Sequence, residues 1–134
     1  FSGETGKLLD KMLSAINLDR NKVYLTNIIN FRLADNKRLS QLEIHNYKSL
    51  IFNHIKIINP KVIFLLGSVA YEFFCEKKNS TIKSRGHWTK LNINNHEFDC
   101  LPSYHPAFLL RQPNQKKASW EDLKKIKIEI DRYT

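Results

Sequence analysis

Apolar residues recur at helical spacing in four separate stretches of the chain. The first covers roughly residues 5–17, the second runs from about residue 40 to 58, the third covers 68–78, and the last follows Pro113. Ser40 and Glu43 have the spacing of a capping box, which indicates that the second helix begins at Ser40. In the last helix, the side chains expected to face inward are those of Trp120, Leu123, Ile126 and Ile130.

Apolar and β-branched runs between these helices predict strands. "KVYLTNII", residues 22–29, is typical of a buried strand, and "NPKVIFLLGS", residues 59–68, contains a second. Residues 85–106 have the pattern of a hairpin that turns at Asn94 and Asn95. The stretch between 30 and 40 is polar and predicts a loop.

Strands that alternate with helices predict an α/β fold. We expect a single domain over residues 1–134, a three-layer sandwich in which a mostly parallel central sheet has helices on both faces. Ligands of such sheets bind beyond the carboxyl ends of the strands. Three segments are expected at that edge: Asn27, Gly67–Ser68 and His105–Pro106. Ser68 either caps the third helix or binds a phosphate there through backbone N–H groups, and the cap is the favoured interpretation.

The charge of the chain favours a polyanionic partner. Its 134 residues are 42% hydrophobic, and 22 Lys and Arg residues against 13 acidic residues give a net charge of +9. Such a surplus is typical of nucleic-acid-binding proteins, although a solvated basic surface without such a partner is the alternative. The abundance of Lys, Asn and Ile, which an AT-rich genome would also produce, weakens this inference.

The two cysteines and the length of the apolar runs bear on the cellular compartment of the protein. Cys75 and Cys100 are far apart and lack metal-ligand spacing, which favours a reducing compartment and leads us to expect a cytoplasmic protein. No apolar run reaches the roughly 18 residues of a membrane span, so no membrane partner is expected.

The segment "SYHPAFLLRQP", residues 103–113, contains a histidine and an arginine and is flanked by prolines. Pro102 and Pro113 enclose a short apolar run, with His105 before it and Arg111 at its end. A core helix would account for the leucines, but not for the histidine, the arginine and the prolines together.

Several segments together resemble a known family. "FSGETGKLLDKML", "VYLTNIINFR", "INPKVIFLLGSVA", "RGHW" and "PSYHPAFLLRQPNQKKASWEDLKKIK" are similar, in order and spacing, to the bacterial iron–sulfur uracil-DNA glycosylases, family 4 of that superfamily. Related segments occur in a phage DNA polymerase. The resemblance covers nearly the whole chain and implies hydrolysis of the N-glycosidic bond of deoxyuridine in DNA, a step of base-excision repair that needs the nucleotide flipped from the stack.

The resemblance also implies roles for individual residues. Phe1 matches the aromatic residue that stacks on uracil, and Asn27 matches the amide that reads its Watson–Crick edge. His105 matches the histidine that faces uracil O2 and stabilises the leaving anion. Leu109 or Leu110 would fill the gap that the flipped base leaves, while one of the two packs against the last helix. The full set of residues expected to contact DNA is Leu109, Leu110, Arg111, Lys116, Lys117, Arg32 and Arg38. Arg85–Gly86 matches a turn of the family without an evident role.

The chain departs from the family at the cysteines that bind its iron–sulfur cluster. Family members hold a 4Fe–4S cluster with four cysteines, and two of those positions correspond to Phe31 and Tyr47, which cannot bind iron. Cys75 and Cys100 match no ligand position. We therefore expect no metal and no cofactor, with aromatic side chains in that space.

A second departure concerns the family's first catalytic motif, a glycine-rich loop with an acid that positions water. That motif precedes the stacking aromatic, so we expect the domain to lack this loop and its strand, through truncation or as a piece of a longer product. Glu4 lies within the glycine turn and is not assigned that role. The alternatives are a non-catalytic DNA-binding remnant and a polymerase-associated module. A monomer that binds uracil-containing DNA is expected.

Overall fold

The structure is a computed structural model, and it describes residues 3–25, 41–75 and 85–133. The helices are α1 (Gly3–Ala15), α2 (Gln41–Ile58), α3 (Ser68–Cys75), α4 (Pro106–Arg111) and α5 (Lys116–Asp131), and a 3-10 turn at Pro113–Gln115 joins the last two. The strands are β1 (Val62–Leu66), β2 (Thr89–Ile93) and β3 (His96–Ser103).

The three described strands form one sheet in the order β1-β3-β2. β1 runs parallel to β3, with Val62 opposite Asp99 and Leu66 opposite Ser103. β2 and β3 form the predicted antiparallel hairpin. Asn94 and Asn95 make its turn with φ values of 51° and 69°, a conformation that asparagine tolerates better than most residues. Within the described residues the sheet is therefore mixed, whereas we expected a mostly parallel one.

Alternate residues of β1 and β3 pack on opposite faces of the sheet, as the two-residue period of a strand requires. One core cluster joins one face of the sheet to α1, α4 and α5 through Met12, Ile16, Leu101, Leu109, Leu123 and Ile126. The other joins the opposite face to α2 and α3 through residues that include Leu65, Tyr71, Cys100, Phe52 and Ile55. Helices cover both faces, so the α/β fold with three layers is confirmed.

Other expectations meet the structure less completely. Residues 22–25 of the strand predicted over 22–29 are not in a strand, and the rest of it lies outside the described residues. The predicted loop over 30–40 and the cap residue Ser40 also lie outside them. The first helix spans 3–15 rather than 5–17.

The inward orientation predicted for Trp120 is wrong. Leu123 and Ile126 are buried and Ile130 packs against them, but Trp120 is 41% exposed. The buried stripe of α5 is formed by residues 119, 122, 123 and 126. With about 100° between successive residues, Trp120 falls roughly 120° from the middle of that stripe.

None of the described helices has both the length and the apolar character that crossing a membrane requires.

Candidate functional site

The carboxyl ends of β1 and β3 lie side by side, and His105 follows at this edge. The Gly67 N–H donates to the Ser103 carbonyl over 2.9 Å, which ties the residue after β1 to the last residue of β3. Gly67 has φ +95°, and a Cβ atom there would lie 3.0 Å from the Cβ of His105. Only glycine combines this backbone conformation with so close a neighbour. Gly67 therefore lets the His105 side chain sit against the end of β1.

His105 caps the short helix α4. Its backbone is extended, with φ −70° and ψ 142°, and its Nδ1 accepts a hydrogen bond of 3.0 Å from the Ala107 N–H. Pro106 at the first helical position has no N–H to satisfy, and its fixed φ suits a helix start. Because Nδ1 accepts, the proton of the neutral imidazole is assigned to Nε2.

The surroundings of His105 favour the neutral ring. Burial lowers the pKa of His105 below its usual range, because the charged imidazolium loses hydration, and the positive charge of Arg111 acts in the same direction. Protonation would also put a hydrogen on Nδ1, where it would face the Ala107 N–H. The site therefore offers a neutral imidazole whose Nε2–H is a hydrogen-bond donor.

A buried carboxylate anchors the residues that precede His105. Asp122 of α5 is 0% exposed, and its Oδ2 accepts from the Ser103 hydroxyl over 2.6 Å. Its Oδ1 accepts from the Arg85 guanidinium over 2.6 Å, and the same guanidinium nitrogen donates to the Ala118 carbonyl over 3.1 Å. The carboxylate thus connects α5, the end of β3 and the turn at residue 85.

The Arg85–Gly86 turn, which had no evident role in the sequence, is built around this carboxylate. The Gly86 N–H donates to the Pro102 carbonyl, and its own carbonyl accepts from Lys125 Nζ over 2.6 Å. Gly86 has φ +77°, and a Cβ there would lie 2.7 Å from Asp122 Oδ1. Arg85 supplies the countercharge of the Asp122 carboxylate, and Gly86 leaves the space that this carboxylate occupies.

Aromatic rings continue this arrangement toward α4. The Arg85 guanidinium lies 5.7 Å from the centre of the Tyr104 ring, and Tyr104 packs on Phe108 with 4.7 Å between ring centroids. Arg85 therefore contacts the residue immediately before His105 as well as Asp122. Sequence reasoning missed Asp122 and Ser103, although an acid at position 122 among the inward positions of α5 was a usable signal.

The two leucines of the proline-bracketed segment point in different directions. Leu109 is 1% exposed and packs in the core cluster with Leu123, whereas Leu110 is 40% exposed. The expectation that Leu109 contacts DNA is corrected, because its side chain would have to leave the core to do so. Leu110 remains the candidate.

The cationic candidates after Leu110 are accessible. Arg111 at the end of α4 is exposed, as are Lys116 and Lys117 in the first turn of α5. Only the 3-10 turn separates the two groups. The remaining predicted site residues, Phe1, Asn27, Arg32 and Arg38, lie outside the described residues.

Ser68 and Tyr47 also have defined places. The cap of α3 is Gly67, whose carbonyl accepts from the Tyr71 N–H, so the expectation that Ser68 is the cap is corrected by one residue. Tyr47 is half-buried and meets the Phe73 ring edge-on, with 5.8 Å between centroids. Phe31 lies outside the described residues. Within 3–25, 41–75 and 85–133, no three His, Cys, Asp or Glu side chains are grouped as metal ligands would be.

These features define a three-layer α/β domain with a helix-capping histidine at the edge where the carboxyl ends of β1 and β3 meet. The model of the uracil DNA glycosylase superfamily matches residues 1–124, and the chain belongs to this superfamily. The resemblance noted in the sequence is confirmed.

Relatives of known name support the same assignment. The chain is 34% identical to a type-4 uracil-DNA glycosylase of Sulfurisphaera tokodaii, in a match that covers 100% of the chain and 64% of the relative. It is 32% identical to that of Thermotoga maritima, with 95% and 66% covered. The chain thus spans slightly less than two thirds of the length of these relatives. It is also 29% identical to a segment of the DNA polymerase of Bacillus phage SP01, over 92% of the chain and 13% of the polymerase.

We predict that the Arg85→Ala substitution strongly destabilises the fold. Removing the guanidinium leaves the fully buried Asp122 carboxylate without its countercharge. The free energy of unfolding should fall by about 3 kcal/mol. This value is at the lower end of the losses seen when a buried ion pair is broken, because the Arg85 side chain is 26% exposed. Urea denaturation measures this change.

The matched control for that substitution is Asp99→Asn on β3, which removes one partner of a different ion pair. It breaks the more exposed ion pair between Lys90 and Asp99 and should change the unfolding free energy little. Equal losses in the two variants would contradict the assignment of Asp122 as the buried anchor.

A second prediction concerns the pH dependence that His105 confers. Its folded-state pKa is lowered, so below about pH 6.5 the unfolded chain binds this proton more readily than the folded chain. Stability should therefore fall on acidification from about pH 6.5 down to the folded pKa. NMR titration of the His105 ring and urea denaturation across that range measure the two effects.

The control variant is His105→Asn. Asparagine is a favoured N-cap, so its amide oxygen can accept from the Ala107 N–H at any pH. The stability advantage of the wild-type chain over this variant should shrink as the pH falls through the window. A His105 midpoint at or above about 6.5 would contradict the prediction.

Proposed function

We propose that this chain binds uracil-containing DNA and hydrolyses the N-glycosidic bond of deoxyuridine in base-excision repair. The observation that carries the proposal is the hydrogen bond that His105 Nδ1 accepts from the Ala107 N–H at the carboxyl ends of β1 and β3, in a member of the uracil DNA glycosylase superfamily. This bond assigns the proton of the neutral ring to Nε2. DNA containing uracil is the proposed partner, and the protein is expected to act as a cytoplasmic monomer.

The proposed chemistry breaks the bond between deoxyribose C1′ and uracil N1. The bond electrons leave with uracil, whose negative charge is shared by N1 and O2, and water adds its oxygen to C1′. The water gives up one proton, and uracil takes up a proton to leave in its neutral form. The Nε2–H of His105 donates to O2 and stabilises charge that develops only in the transition state. Because the imidazole is neutral and capped on Nδ1, its donor direction is set before the substrate arrives.

Recognition of the base is assigned by resemblance. The Asn27 amide can donate to uracil O4 and accept from N3–H, a pairing that cytosine cannot satisfy, and Phe1 would stack on the ring. Leu110 is the proposed wedge in the base stack, since its side chain is exposed where that of Leu109 is buried. Arg111, Lys116 and Lys117 would bind phosphates next to it, and Arg32 and Arg38 are proposed for the same role.

A second candidate function is DNA binding without catalysis, as a polymerase-associated module. The match to a segment of the phage SP01 DNA polymerase favours it. The two functions differ in whether excision depends on His105.

We predict slow but His105-dependent excision of uracil by the 134-residue chain. The measurement is single-turnover cleavage of a uracil-containing oligonucleotide at saturating protein. Loss of one oxyanion donor typically lowers the rate constant about 10²- to 10³-fold, which is the effect expected for His105→Ala. His105→Asn keeps the helix cap but removes the imidazole, so it should be as slow.

The outcomes of this assay separate the two functions. Excision unaffected by either variant would indicate a contaminating enzyme and count against the proposal. DNA binding with no excision above background would favour the non-catalytic module. Extension of the chain with an upstream segment that carries a glycine-rich acidic loop should raise the rate by about 10²- to 10⁴-fold, since it supplies the group that positions water.

We also propose that the protein carries no 4Fe–4S cluster. Two positions that match the family's cysteine ligands hold Phe31 and Tyr47, and Tyr47 packs on Phe73. Protein purified without oxygen should be colourless, with iron and sulfide far below one cluster per chain. A brown protein with stoichiometric iron and sulfide would contradict this prediction and the alignment of that segment.

A further inference from the structure

The outer face of α5 presents an aromatic ring among lysines. Trp120 is 41% exposed, although the opposite side of the same helix is buried in the core. Lys116, Lys124 and Lys127 lie within roughly 40° of Trp120 around the helix axis, and Lys117 lies within roughly 60°. We call Trp120 and these four lysines the tryptophan–lysine face.

The charge on this face is positive after its acidic residues are included. Lys124 pairs with Glu121 over 3.0 Å, and Lys127 pairs with Asp131 over 3.5 Å. Four lysines against these two acids leave a surplus of two positive charges beside the ring. These pairs are exposed and screened, so they yield readily to a phosphate that brings a full negative charge.

Lys124 also lies close to the Trp120 ring. Its Nζ lies 6.0 Å from the centre of the Trp120 ring, within reach of a cation–π contact. One side of the ring is therefore near a cation, while 41% of the residue stays accessible to solvent. An exposed aromatic ring with lysines around it is the combination that single-stranded nucleic acid binds, with bases stacked on rings and phosphates on cations.

The face continues directly from the proposed wedge. Arg111 ends α4, the 3-10 turn covers Pro113–Gln115, and Lys116 begins α5. Along the chain only Gln112 and this turn separate Arg111 from the first turn of α5, so a strand whose phosphates contact Arg111 can continue onto Lys116.

We propose that the tryptophan–lysine face binds a single-stranded segment of DNA, with one unpaired base stacked on Trp120 and its neighbouring phosphates on Lys117 and Lys124. The proposal rests on the DNA substrate of the proposed function, but stacking requires neither uracil nor His105. It extends DNA contact beyond the flipped nucleotide to a second, base-unspecific position.

The chain offers a matched pair of tryptophans for the test. Trp88 is 40% exposed and lies just before β2, so Trp88→Phe leaves Trp120 as the sole tryptophan and Trp120→Phe leaves Trp88. Each variant is titrated with a uracil-free oligothymidylate while tryptophan fluorescence is recorded. Quenching is expected in Trp88→Phe and not in Trp120→Phe.

A second probe separates stacking from charge. An oligonucleotide of the same length with abasic sites keeps the phosphates and removes the bases, and it should bind with little quenching of Trp120. Trp120→Ala should weaken binding of the oligothymidylate roughly 5- to 150-fold, the usual range for one stacked base, whereas Trp88→Ala should leave it unchanged. Thermal unfolding checks that both variants are folded.

Several results would overturn the proposal. Quenching in Trp120→Phe instead of Trp88→Phe would overturn it, as would equal quenching of Trp120 by the abasic strand. Unchanged affinity of Trp120→Ala for the oligothymidylate would also overturn it. If Trp120 fluorescence depended on protein concentration without DNA, the face would instead bind a second copy of the chain. Stacking on Trp120 without excision would uphold this inference and count against the proposed catalysis, and excision without stacking would do the reverse.

Discussion

The arrangement of the candidate site depends on one buried charge, the carboxylate of Asp122. Placing a carboxylate in the core between a sheet and a helix is unfavourable unless its charge and its lone pairs are satisfied. Arg85 supplies the countercharge, Ser103 donates a hydrogen bond, and Gly86 leaves the space that the carboxylate needs. A buried pair of this kind adds little net stability over a well-packed apolar core, but it tolerates few other arrangements. Its contribution is therefore geometric: it holds the end of β3 against α5.

This constraint matters because Ser103 lies two residues before His105. The Gly67 N–H fixes Ser103 from the side of β1, and Asp122 fixes it from the side of α5. Beyond that point the chain has little freedom, since Tyr104 lies between Arg85 and Phe108, and the imidazole of His105 is itself the cap of α4. The direction of the Nε2–H is thus determined by contacts from several elements. A donor held in advance needs less reorganisation when charge develops on a leaving group.

Sequence patterns were sufficient for the layers of this fold and insufficient for the contacts that hold its edge. The apolar run of β1 and the asparagine turn of the hairpin identified the strands, because local spacing and φ preferences carry that information. The prediction that Trp120 faces inward was wrong. A large apolar residue one turn from Leu123 suggests burial, and only the structure shows which residues of α5 are buried. The pairing of Arg85 with Asp122 joins residues 37 positions apart. No local pattern reports such a contact, and the same holds for the Gly67–His105 approach. His105 itself was found through the motif, but its protonation state needed the Ala107 hydrogen bond.

The segment between Pro102 and Pro113 separates structural and chemical tasks between neighbouring residues. Pro106 and Leu109 are buried and attach this six-residue helix to the core. Leu110 and Arg111, next in sequence, project outward, because successive helical positions differ by about 100°. This short helix thus presents an exposed apolar side chain and a cation while its other side packs in the core. The two roles considered for the leucines are therefore not alternatives: Leu109 holds the helix in place, and this is what allows Leu110 to be exposed at a defined position beside His105.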